Sequence, residues 1–241
     1  MNKKTDFIKE DTVESSENTK WEDLVGQAQM YVVLLTDDLN LNNYFKDNDN
    51  IKGAKIITVK DIGKLNNADM TFFVASDDID NQTKEKLSKL GQEGNIKVYI
   101  APKKLKNLGS VCSTYINDDI DYKIVHLCLK SVIEAIHIPS LVGLDYADVK
   151  HIFLDSKTMV LKLYRGDTED NQEVIEQIKK DFKKIDNVFY TFYGDTCMTL
   201  DNLSNFDEKL SPLAENVVYS AKILEGQFGI DFAIVGFFGL I

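Results

Sequence analysis

The sequence predicts an α/β fold with a parallel α/β amino half, a central buried helix and an α+β carboxyl half. Three features predict it. From Trp21 onward short apolar runs alternate with polar helical stretches, the pattern of buried strands joined by crossovers. Residues 120–137, IDYKIVHLCLKSVIEAIH, are apolar almost all round, which requires burial on every side. Beyond Pro139 the order of elements changes and two long apolar runs close the chain.

Residues 1–20 are polar, charged and without periodicity, and read as a flexible arm. Residues 21–119 hold the amino half. QMYVVLLT (29–36), AKIITV (54–59), MTFFVAS (70–76) and IKVYIA (96–101) read as buried strands. Between the last two, DDIDNQTKEKLSKLGQEG reads as a solvated helix with a thin seam at Leu87 and Leu90. The central helix occupies 120–138 and Pro139 helps to stop it. Residues 139–241 form the second half. A helix is expected from Asp145, a strand at 158–164, and a helix at 173–185 whose stripe is Val174, Ile178, Phe182 and Ile185. A strand at 187–194, a helix near 201–214, and strands at 216–224 and 230–238 follow; the turn-like EGQFG between the last two predicts a hairpin.

The chain has 241 residues and 44% apolar composition, enough to bury a core. Its formal charge of −11 disfavours nucleic acid and anionic membranes as partners. Cys112, Cys128 and Cys197, and His126, His137 and His151, are dispersed and show no metal-ligand or disulfide spacing. The amino end lacks a signal-peptide core, and FAIVGFFGLI (232–241) is too short to span a bilayer, so a cytoplasmic setting without direct membrane insertion is expected. The basic run Lys103, Lys104, Lys106 and the lysines 179, 180, 183 and 184 read as solvated surface.

The most specific segment is PSLVGLDYADVK, 139–150. It resembles the synergy loop of the tubulin/FtsZ family, with Pro139, Leu141, Leu144, Asp145, Ala147, Asp148, Val149 and Lys150 matching and Val142 and Tyr146 near-equivalent. LNNADMTFFVAS (65–76), YTFYGDTCMTLDNL (190–203) and the two closing strands also resemble family segments. The resemblance covers most of 29–239 and is densest after residue 139. It implies a reduced tubulin/FtsZ-like fold whose second domain is 139–241 and whose nucleotide domain survives as a Rossmann-like remnant at 21–119.

The departures bear on activity. In the family a glycine-rich loop follows the strand matching 70–76, and its backbone N–H groups close on phosphate. Here Asp77, Asp78, Ile79 and Asp80 follow, and no glycine occurs between Gly63 and Gly91. Each carboxylate–phosphate pair would be repulsive by roughly 1–4 kcal/mol. These acids also suit a helix amino terminus. Thr36, Asp37, Asp38 and Leu39 replace the first strand's glycine-rich exit. Lys123 and Asp119 fall where the family grips and stacks guanine.

No cofactor and no metal are therefore expected. In the family the carboxylates matching Asp145 and Asp148 reach the neighbouring subunit's nucleotide, so these two are the catalytic candidates implied by the resemblance. A capping pair explains the same spacing. Gly143, Asp145, Tyr146, Asp148 and Lys150 form the expected partner-binding set. The resulting expectation is a nucleotide-independent FtsZ-like protein that contacts FtsZ, or another FtsZ-like chain, and caps or regulates its filaments in cell division, without an enzymatic activity of its own beyond a role in trans. The rivals are a divergent GTPase with a remodelled pocket and a self-associating scaffold.

Overall fold

A computed structural model describes residues 28–35, 39–47, 51–65, 68–75, 79–88, 96–101, 114–117, 121–156, 158–166, 172–194, 198–223 and 232–240. The expected arm at 1–20, Leu90, Thr36, the acids at 37, 38, 77, 78 and 119, the basic run at 103–106, Cys112, Cys197 and the EGQFG turn lie outside them.

Among the described residues nine strands form a single sheet. They are β1 (Met30–Leu34), β2 (Ala54–Thr58), β3 (Met70–Val74), β4 (Ile96–Ala101), β5 (Thr114–Asn117), β6 (Thr158–Gly166), β7 (Ile185–Gly194), β8 (Ala214–Ile223) and β9 (Phe232–Leu240). Their order across the sheet is β2-β1-β3-β4-β5-β6-β9-β7-β8. The first five strands pair in parallel, and the near-continuous apolar runs of β1, β3 and β4 suit strands covered on both faces. The parallel join of β5 to β6 rests on two residue pairs, Tyr115–Thr158 and Ile116–Met159.

Among the described residues the helices covering the sheet are α1 (Leu39–Asp47), α2 (Asn81–Ser88), α3 (Tyr122–His137), α4 (Tyr146–Asp155), α5 (Gln172–Asp181) and α6 (Leu200–Leu210). A 3₁₀ segment spans Val59–Leu65. The central helix α3 starts at Asp121, whose carboxylate accepts the Lys123 N–H at 2.8 Å. Its buried positions include Val125, Cys128, Leu129, Val132 and Ile133, packed with residues of β1, β3, β4, β6, β7 and β9 in one core. Phe72 of β3, Phe153 of α4 and Phe237 of β9 meet in that core, with Phe153 edge-on to both others. The same layer of side chains thus joins the two halves. On the other face two cores remain separate. Ile62, Leu65, Ile79 and Leu87 cover the amino strands, while α5 and α6 cover the carboxyl strands, where Phe182 stacks on Phe238.

The expected closing hairpin does not form. β9 inserts between β6 and β7, antiparallel to both, and β8 pairs in parallel with β7 at the sheet edge. The reason lies in the side chains. Residues 233–239 of β9 are all buried, which calls for a neighbour on each side, whereas β8 is half-exposed over much of its length and suits an edge. Gly236 permits the insertion: a Cβ there would lie 2.2 Å from the Phe189 carbonyl oxygen.

Candidate functional site

The order β2-β1-β3 places a topological switch between β1 and β3, and open α/β sheets bind ligands beyond the carboxyl ends of strands at such a switch. At the exit of β3 the first described acid, Asp80, caps α2. Its carboxylate accepts the Thr83 N–H and the Thr83 hydroxyl, both at 2.8 Å. Those hydrogen bonds hold the Asp80 carboxyl below the usual carboxylate range. The α2 amino terminus, which a phosphate would otherwise approach, thus carries a fixed negative side chain.

The segment 138–150 lies at the opposite pole, where the parallel strands begin. Ala28 and Asp69, which precede β1 and β3, mark that pole: the His137 ring lies 2.9 Å from the Ala28 carbonyl oxygen, and the Tyr146 hydroxyl donates to the Asp69 carbonyl at 2.7 Å. The two poles are separated by the length of β3, roughly 17 Å at about 3.3 Å per residue. On its other side the segment is held by β8. The Leu141 N–H donates to the Ala221 carbonyl at 3.0 Å, Val142 bridges Ala221, and the Ser140 and Ser220 hydroxyls are 3.3 Å apart.

Each expected partner-binding residue falls on this segment. Gly143, Asp145 and Asp148 are exposed; Tyr146 and Lys150 are half-buried. Asp145 and Asp148 form a reciprocal capping box on α4, with the Asp148 N–H on Asp145 Oδ1 at 2.9 Å and the Asp145 N–H on Asp148 Oδ2 at 3.2 Å. Each carboxylate has one oxygen in the box. Burial, aided by the charge of Asp69, pushes the Tyr146 phenol up to about 12. Lys123 is exposed in the first turn of α3, and Lys179, Lys180, Lys183 and Lys184 are exposed on and after α5. Among the described residues no group of three or more His, Cys, Asp or Glu could hold a metal ion. No helix among them is long and apolar enough to cross a membrane.

Behind the segment is a contact that periodicity and motif could not signal. Glu134 of α3 and Lys222 of β8 are both about nine-tenths buried and meet at 3.1 Å. The second carboxylate oxygen of Glu134 accepts the Lys52 N–H at 3.3 Å.

No protein-family model and no curated protein sequence matches the chain. Solved structures do. An empty FtsZ dimer from M. jannaschii superposes with a TM-score of 0.67 at 14% identity, covering 88% of each chain. The chain has an FtsZ-like fold. A CetZ from Methanosaeta thermophila is similar with a TM-score of 0.57 at 12% identity, covering 87% of this chain and 86% of that one. A GDP-bound CetZ1 monomer from Haloferax volcanii gives 0.56 at 7% identity, covering 88% and 94%. The FtsZ-like fold therefore extends across both halves of the sheet rather than one of them.

Proposed function

We propose that this FtsZ-like chain works without nucleotide, binds FtsZ and caps or regulates its filaments in cell division. One observation carries the reading. The two poles of the sheet are unequal: the strand-start pole presents Gly143, Asp145 and Asp148 on an anchored segment, whereas the strand-exit pole has an aspartate bound into the amino terminus of α2. Head-to-tail filaments need two competent poles on every subunit. A chain with one competent pole joins an end and stops growth. Asp145 and Asp148 then face the terminal subunit's nucleotide, and the partner set is Gly143, Asp145, Tyr146, Asp148 and Lys150.

The deciding experiment adds substoichiometric protein to FtsZ polymerising with GTP and measures filament length. Shorter filaments are expected, and unchanged length at every ratio rejects the reading. Calorimetry of the isolated chain with GTP and magnesium is expected to show no micromolar binding; tight binding would favour a divergent GTPase instead. Asp145→Asn, which can still cap, separates the two roles of that residue: a filament effect equal to the unmodified chain's limits its carboxylate to the helix.

A further inference from the structure

We propose that Glu134 and Lys222 are the positioning pair of the segment 138–150, locking its entry to the edge of the sheet. The proposal rests on reading that segment as the partner face. It starts from a closed circuit of contacts. The Glu134 backbone carbonyl accepts the Ile138 N–H at 2.9 Å, the bond that ends α3. Three residues later the Leu141 N–H donates to the Ala221 carbonyl at 3.0 Å. Lys222 follows Ala221 in the chain, and its ammonium returns to Glu134 Oε2 at 3.1 Å. Residues 138–141 are thus bounded at both ends by backbone bonds, and the two bond-bearing stretches are themselves joined by one side-chain pair.

The pair is costly to keep for stability alone. Both groups are nearly buried, and two desolvated charges seldom outdo apolar residues of similar volume. Burial lowers the Lys222 ammonium's pKa below the usual lysine range, against the opposing pull of Glu134. What the pair supplies instead is direction. An ion pair with a bound second oxygen admits one register of β8 against α3, whereas apolar side chains could slide. The Lys52 N–H on the other oxygen fixes the carboxylate relative to the turn before β2. Glu134 therefore references the partner segment to the amino and the carboxyl strands together.

The test is amide exchange on the isolated full chain, so its outcome does not depend on whether the chain caps filaments. The readout is the protection of the Leu141 N–H relative to that of Phe189, in β7, which is paired on both sides. Lys222→Met is expected to lower that ratio by about tenfold or more, since local opening then precedes global unfolding. Glu134→Lys combined with Lys222→Glu restores the ion pair but not the acceptor of the Lys52 N–H, and is expected to recover part of it. If Lys222→Met does not fold, Glu134→Gln removes the charge and keeps an acceptor oxygen for only one of the two donors, and a fall in the ratio is again expected. Equal loss of protection at Leu141 and Phe189, or no recovery in the exchanged pair, would overturn the proposal.

Discussion

The Tyr146 hydroxyl donates to the Asp69 carbonyl at 2.7 Å, joining residues 77 positions apart. It is the tie between the first turn of α4 and the start of β3. Tyr146→Phe should cost about 0.5–1.5 kcal/mol by urea unfolding at neutral pH. The pH dependence has a definite sign. The phenol is raised in the folded state, from 10.0 to about 12, so its contribution is complete below pH 10 and is lost as pH climbs towards 12. The variant should lose stability less steeply across that window, although Tyr190, Tyr193 and Tyr219 keep part of the slope in both proteins. Identical slopes would mean that the phenol ionises freely.

Gly53 has a φ of +96°, and a Cβ there would lie 2.3 Å from Cγ of His137. Gly53→Ala combines a left-handed backbone with a ring overlap and should cost about 2–4 kcal/mol. Gly63 has open space around it, and Gly63→Ala should be nearly silent. Thermal unfolding of the two variants side by side checks the contrast.

Asp145→Ala should lower stability by about 0.5–2 kcal/mol through loss of the α4 cap, and Asp145→Asn by much less. Asp148→Ala removes the reciprocal acceptor of the Asp145 N–H and should fall between them. Denaturant midpoints rank the three; an inverted order would remove the capping box as a source of stability.

Ile234 is fully buried in β9, opposite Tyr164 of β6 and Phe192 of β7. A carboxylate there has no partner in the apolar core around it, and Ile234→Asp should cost several kcal/mol, about 3 or more. Loss of soluble folded protein is expected, read by circular dichroism and sedimentation.

The strands were legible where apolar runs were long: β1, β3, β4, β6 and β7 fall within a residue or two of expectation. The stripe Val174, Ile178, Phe182, Ile185 is buried as expected, though Ile185 opens β7 rather than ending the helix. Two elements left no clear pattern. β5 is four residues long in polar surroundings, and α1 buries Leu41 and Phe45 within an asparagine-rich run of modest helix propensity. The closing hairpin was misread because a turn signal between two strands does not say which neighbours they choose. At the site, the motif 139–150 and the alternative of a capping pair were both visible. The ties from Tyr146 to Asp69 and from Glu134 to Lys222 were not, since each joins residues 77 or 88 positions apart with no local pattern.

The place of β9 sets an order on synthesis. β6 and β7 leave the ribosome before it, yet they do not pair with each other: β9 lies between them and pairs with both. Until residues 232–240 emerge, the nascent carboxyl half holds two apolar strands with open edges, joined in register to nothing between them. That half must wait for the latest of its strands in chain order, while the parallel strands β1 to β4 can already pair. A translation stall between Ile223 and Phe232 would expose those edges for as long as it lasted, and that interval is where a holding chaperone would act on this chain.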